Sequence, residues 1–119
     1  MGAFLMKCII AGSRHLEISM NQLMDIIEHA GLPITEVVSG NSGNIDVLGE
    51  KWGLAMRLPV TQFNAAWQAY GKSAGPRRNR QMAAYAEALI AIWDGKSKGT
   101  LNMIKEANKR QLRVYVIQI

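Results

Sequence analysis

The residue types best suited to chemistry lie in two basic, glycine-bearing loops. They are Tyr70-Gly71-Lys72-Ser73-Ala74-Gly75-Pro76-Arg77-Arg78-Asn79-Arg80-Gln81-Met82 and Trp93-Asp94-Gly95-Lys96-Ser97-Lys98-Gly99-Thr100. Each runs into a stretch that reads as a helix. The first turn of a helix carries unpaired N–H groups and the positive end of the macrodipole, and glycine lets backbone amides approach a phosphate closely. Both loops add cations to that arrangement, so the chemistry they predict is capture of an anion, a nucleotide above all. Pro76 suits the first helical position, where its missing N–H costs nothing. That placement puts Arg77, Arg78 and Arg80 in the first turn, against the dipole, unless an anion offsets them. A local rule broken in this way marks a functional position.

The elements that must hold these loops alternate along the chain. Residues 4–11 form a continuous apolar run ended by Gly12-Ser13-Arg14, the pattern of a strand buried on both faces. Residues 18–30 read as a helix with Ser19 as the candidate cap, Leu23, Ile26 and Ile27 as the inner stripe, and Gly31-Leu32-Pro33 as the stop. A short strand over 35–39, a glycine turn at Gly40-Asn41-Ser42-Gly43, a helix over 45–56 and a strand over 58–63 follow. Residues 64–74 show no clean period. A helix from Pro76 to about Ala86, a strand over 88–93, a helix from Thr100 to about Arg110 and a strand over 112–117 complete the pattern. This βα alternation predicts one Rossmann-like, doubly wound α/β domain over 1–119, with a five-stranded, mostly parallel sheet and helices on both faces. In such sheets ligands bind beyond the carboxyl ends of the strands, where the glycine loops fall.

Composition narrows the classes. With 119 residues, 49% of them hydrophobic and 19% charged, the chain can bury a core without disulfide or metal staples. The one cysteine, Cys8, lies in the first apolar run and reads as a buried, inert thiol. No stretch approaches the roughly 20 apolar residues of a membrane span, and no secretory pattern is visible at the N-terminus, so the expected compartment is the cytoplasm and no membrane partner is expected. Met1-Gly2 begins like a myristoylation signal, but Met6 stands where that signal wants Ser or Thr. The net charge of +5 raises nucleic acid as a partner, although a compact anion site accounts for it as well.

The same residues carry a resemblance. Gly12-Ser13-Arg14, Ser39-Gly40 with Asp46-Val47-Leu48-Gly49-Glu50 and Trp52, Trp67 with Gly71-Lys72, Gly75-Pro76-Arg77-Arg78-Asn79-Arg80-Gln81-Met82, and Asp94 to Thr100 occur in the order found in the YspA-related branch of the SLOG superfamily. The resemblance spans nearly the whole chain, and the G-P-x-R-N-x-x-M element is its specific part. It implies a Rossmann-like domain related to the cytokinin-activating LOG enzymes and to DprA, binding a nucleotide or nucleotide derivative. One departure is Asn44, with Gly43 one place earlier, where the family pattern has glycine; Asn tolerates a left-handed backbone well enough to keep such a turn.

The resulting ligand set is Gly12, Ser13, Arg14, Ser39, Gly40, Asp46, Gly75, Arg78, Asn79, Gly95, Ser97, Gly99 and Thr100. Arg78 is expected to hold a phosphate or carboxylate, and Asn79 to bond a ribose or base edge or to fix a loop; the plain alternative is a surface salt bridge and a cap. Arg77 and Arg80 read as a solvated face, and Met82 as packing. Thr100 caps its helix or donates to a phosphate. Lys96 and Lys98 either screen phosphates or stay solvated. Arg14 and Asp46 each have a structural alternative, a salt bridge and a favourable helix N-terminus. Trp67 and Tyr70 form either a lid that stacks on a base or a satellite core. His15 lacks a matching carboxylate, and His29 reads as an ordinary helix residue.

Enzymatic turnover is not favoured. The LOG pattern P-G-G-x-G-T-x-x-E supplies a catalytic glutamate, and that position here is Met103; Glu106, one turn further, faces away from the loop. The favoured reading is a sensor or sequestering protein for a nucleotide or ADP-ribose-like signalling ligand, with no catalytic residue, metal or required cofactor. The alternatives are a LOG-type phosphoribohydrolase or N-glycosidase using Asp46 or Glu106, and single-stranded nucleic-acid binding as in DprA relatives. A homo-oligomer, dimer or higher, is also expected, with Met20, Met24 and Leu101 as apolar contact positions.

Overall fold

The computed structural model describes residues 4–119, so Met1-Gly2 and its myristoylation reading lie outside the described residues. Five strands form one sheet in the order β3-β2-β1-β4-β5: β1 (Lys7–Gly12), β2 (Glu36–Ser39), β3 (Val60–Gln62), β4 (Ala88–Trp93) and β5 (Arg113–Gln118). Every pairing is parallel, which sharpens the expected mostly parallel sheet to a wholly parallel one. The helices are α1 (Met20–Ala30), α2 (Asn44–Ala55), α3 (Trp67–Tyr70), α4 (Ala74–Tyr85) and α5 (Lys98–Lys109). The strand order reverses between β1 and β4. That crevice is where an open parallel sheet takes its ligand.

Alternation along the central strands divides the core. Cys8 and Ile10 of β1 join Ala88, Ile90 and Ile92 of β4 under α1 and α2, against Leu23, Ile26, Ile45 and Trp52. Ile9, Leu89 and Ala91 point the other way, onto Met82, Ala83, Met103, Ile104 and Ala107 of α4 and α5. Period-two alternation in strands buried on both faces produces this split, and it explains why both strands read as unbroken apolar runs. Cys8 is fully buried, and burial pushes its thiol up to about 12, so it remains protonated.

Local signals set most boundaries. Ser19 caps α1 in a reciprocal box with Gln22, and Gly31, at φ 65°, closes it in the left-handed conformation that glycine adopts without a Cβ penalty. Several expectations are corrected. The first strand starts at Lys7, with Phe4 and Leu5 exposed, because pairing to the β2 end begins at Met6, which exchanges bonds with Thr35. Within residues 64–74 only 64–66 are irregular: α3 and a 3₁₀ turn over 71–73 lead directly into α4. α4 therefore begins at Ala74, Pro76 takes its third position, and Arg77, Arg78 and Arg80 lie beyond the first turn. The proposed conflict with the dipole disappears, because the effect fades within one turn. α5 starts at Lys98 under a Ser97 cap, so Thr100 is its third residue and not its cap. Asn44 begins α2 in a helical conformation, and the left-handed residue of that turn is Asn41 (φ 50°). Met24 is exposed as expected, whereas Met20 and Leu101 are half-buried and Met20 packs on the first core cluster.

Gly12 ends β1 where the chain has no room for a side chain. A Cβ there would sit 2.7 Å from the Ile92 carbonyl oxygen and 2.6 Å from Cγ1 of Ile45. Gly12→Ala is accordingly expected to lower stability by about 1–3 kcal/mol through overpacking at the β1–β4–α2 junction, read as a reduced urea midpoint at unchanged m value.

Candidate functional site

The loops after β1 and β4, the start of α2 and the N-terminal halves of α4 and α5 enclose a cavity of about 610 Å³ at the carboxyl end of the sheet. That volume lies within the range of small-ligand sites. Gly12, Ser13 and Arg14 line it from β1, Asp46 from α2, Gly75, Arg78 and Asn79 from α4, and Ser97, Gly99 and Thr100 from α5. Ser39, Gly40 and Gly95 do not line it. Ser39 is buried, donating to Glu50 Oε2 at 2.6 Å and accepting from the Asn41 amide at 3.1 Å. Gly40 supports the site from behind: its carbonyl accepts from Arg78, and a Cβ would lie 2.7 Å from Nη1 of that residue. Gly95 (φ 80°) makes the turn of the β4 loop.

Arg78 is the unusual member, with only 8% of its surface exposed. Its Nη1 donates to the Gly40 carbonyl at 2.6 Å and reaches the Phe63 carbonyl at 3.5 Å, and its Nε donates to Asn79 Oδ1 at 3.0 Å. No carboxylate comes within 4.0 Å of it among the described residues. Burial pulls its pKa down, Asp46 opposes that shift, and Arg14 adds to it. A guanidinium stays charged regardless, so the site holds a desolvated cation whose compensation is incomplete. The salt bridge weighed from sequence is absent.

Asn79 is committed to the protein. Its oxygen accepts from Arg78, and its Nδ2 donates to Asn102 Oδ1 at 2.9 Å and to the Gly99 carbonyl at 3.3 Å. It ties α4 to the first turns of α5 and aims Arg78, which is the loop-fixing role. Asn102 also lines the cavity and was missed in the sequence, where a mid-helix Asn carries no signal.

The α5 entrance is built by Asp94 and Ser97. Asp94 Oδ1 accepts from the amides of Lys96 and Ser97, both at 2.8 Å, an Asx-type turn. Those bonds hold its carboxyl below the usual range. Ser97 Oγ then accepts from the Thr100 amide at 3.3 Å and from Thr100 Oγ1 at 3.2 Å. Ser13 Oγ accepts from the Asp94 amide at 3.0 Å, stitching the two central loops together. The Asp-Gly-x-Ser spacing is the signal by which Asp94 could have been recognised.

Asp46 lies in the first turn of α2, 5% exposed, with Oδ2 accepting from both the amide (2.9 Å) and hydroxyl (3.0 Å) of Ser42. Burial raises its pKa, while the Ser42 bonds and the charge of Arg78 oppose that rise. Trp67, half exposed, lines the cavity and lies over Gly75, where a Cβ would be 3.3 Å from the indole. Tyr70 does not line it; it stacks instead on Arg77, whose guanidinium carbon is 4.2 Å from the ring centroid. Met82 and Met103, each 2% exposed, form an apolar wall. Glu106 is outside the lining and pairs with Lys109 at 3.7 Å. His15 also lines the cavity, whereas His29 bonds the Asp25 carbonyl at 2.7 Å within α1. The lining carries Arg14, Lys72, Arg78, Lys96 and Lys98 against Asp46 and Asp94, so its net charge favours an anion. No cluster of three or more His, Cys, Asp or Glu suited to a metal occurs among the described residues. No helix among them is long and apolar enough to cross a membrane.

No family model matches the chain, and no curated protein matches it. Among solved structures it is similar to DNA processing protein A (DprA) from Streptococcus pneumoniae, with a TM-score of 0.74 at 17% identity, over 98% of this chain and 51% of that one. The chain thus spans about half the length of DprA and shares its Rossmann-like fold.

Two measurements check this geometry. A double-mutant cycle of Arg78→Met and Asn79→Leu in urea unfolding is expected to give a coupling energy of about 0.5–3 kcal/mol, as for contacting residues in one network. Asp94, with its pKa depressed in the folded state, contributes stability above the ordinary carboxylate pKa that is lost as pH falls through its folded value. The stability difference between the parent and Asp94→Ala should therefore be largest near neutral pH and shrink in acid.

Proposed function

We propose that this domain binds a nucleotide or a nucleotide-derived signalling ligand and holds it intact, as a sensor or sequestering protein. The observation that carries the reading is Arg78: a buried guanidinium, aimed by Asn79 and without a carboxylate partner, facing a cavity whose other charges are mainly positive. A phosphate group supplies the compensation that the protein withholds, and a fork-shaped donor suits its oxygens. The unpaired first amides of α5 lie on the same wall. Trp67 and the Met82–Met103 wall offer an apolar slot for a base, and the free oxygen of Asp46 suits a ribose hydroxyl. A pyrophosphate-containing ligand such as an ADP-ribose derivative matches the cavity's size and charge.

Turnover is not part of the proposal. The position of the LOG glutamate is the apolar Met103, and Glu106 is turned from the cavity. Membership of the YspA-related SLOG branch, a cytoplasmic setting and self-association belong to this reading as further proposals. A second reading, single-stranded nucleic acid, takes its support from the fold shared with a protein named for DNA processing and from the cationic rim.

The test is a thermal-shift and product-analysis panel of mono-, di- and triphosphates, dinucleotides and ADP-ribose derivatives. A true ligand at a hundredfold excess over its Kd is expected to stabilise the fold by about 2.7 kcal/mol, to quench Trp67 fluorescence and to be recovered unchanged. Arg78→Ala and Arg78→Lys should both abolish the shift, since an ammonium lacks the planar fork. Recovery of free base would refute binding without turnover, and a shift retained in Arg78→Ala would refute the assigned role.

A further inference from the structure

Helix α4 presents two stripes, and the cavity uses one of them. Gly75, Arg78, Asn79 and Met82 stand at i, i+3, i+4 and i+7 and face the cavity. Arg77, Arg80, Gln81 and Ala84 repeat that spacing two residues later, which rotates them by about 200° to the opposite side of the helix. With Tyr70 and Arg110 they line a separate surface groove of about 300 Å³.

That groove is strongly and singly charged. Its three arginines meet no acidic residue in the lining, and α4 itself contains no Asp or Glu. None of the three enters an ion pair among the described residues. Arg77 is also held in place: its Nε donates to Ser73 Oγ at 3.2 Å, and its guanidinium lies on the Tyr70 ring. Guanidiniums gathered without counter-charges raise the local potential, and their planar donor forks favour phosphate oxygens. Lys72, on the cavity rim, lies in the turn that separates Tyr70 from α4, so cations continue from the groove to the cavity around the start of the helix.

We propose that this groove is a second anion site, a track for a linear chain of phosphates that passes over α4 and delivers one end to the cavity. The chemistry is that of a repeated phosphate, whether in the backbone of a single-stranded nucleic acid or in inorganic polyphosphate. The groove deepens the second reading above and stands independently of whether the cavity binds a free nucleotide.

The experiment measures fluorescence anisotropy of the full chain with a labelled dT12 oligonucleotide and, separately, with end-labelled inorganic polyphosphate, across a salt series. Either probe is expected to bind with a steep salt dependence. The variant R77A/R80A/R110A should lower the log–log salt slope for the strand by about 2, at about 0.7 per lost contact. Lys51→Ala, an exposed charge on α2 across the sheet, should leave the slope nearly unchanged. Binding of the strand alone assigns the track to nucleic acid, binding of polyphosphate alone assigns it to polyphosphate, and binding of both assigns it to any linear phosphate chain. Failure of both probes to bind, or binding that the triple variant leaves intact, overturns the proposal. A parallel thermal shift with single nucleotides separates the sites. If that shift is absent while the triple variant still weakens the strand, the cavity reading fails and the groove stands.

Discussion

A guanidinium removed from water without a carboxylate beside it is costly, and the arrangement around Arg78 is organised by that cost. Carbonyl oxygens of Gly40 and Phe63 from the ends of β2 and β3, and the amide oxygen of Asn79, satisfy two of its nitrogens but supply only partial charge. Gly40 lacks a side chain where the guanidinium passes, and Asn79 in turn binds the α5 entrance. The Arg78–Asn79 pair therefore joins the two halves of the sheet across its switch point. The remaining positive potential opens into the cavity.

The parallel sheet supplies the platform. β1 and β4 are buried on both faces, so their carboxyl ends are fixed to within the precision of a packed core. The loops that follow are short and tied to each other through Ser13 and Asp94. Binding groups carried on such loops are held in place before a ligand arrives, which lowers the ordering cost of association. The apolar wall from Met82 and Met103 has the same origin: both belong to the core cluster under α4 and α5 and reach the cavity from it.

α4 shows how little sequence separates two environments on one element. Its residues 75–82 alternate between a buried stripe that aims a single arginine and an exposed stripe that leaves two others in solvent. Arg77 and Arg80 look equivalent to Arg78 in composition, yet only Arg78 becomes buried.

The sequence by itself determined the alternation of strands and helices, the strand over residues 88–93, the α1 cap and stop, and the gathering of glycine loops at one edge of the sheet. These follow from periodicity and from backbone rules that act over a few residues. It also singled out Arg78, Asp46 and the Ser97-to-Thr100 turn for the cavity. The tertiary structure decided what local rules do not contain. α3 and the 3₁₀ turn feed α4 from before Pro76, which moved the arginines out of the first turn and turned one of three inward. Ser39 and Gly40 fell behind the site, because the register of β2 directs the Ser39 hydroxyl to Glu50. Asn79 spends its amide on Arg78 and Asn102, a pairing across 23 residues that no spacing predicts. Local propensity fixes where elements begin and end, whereas which donor remains free for a ligand depends on the neighbours that folding brings to it.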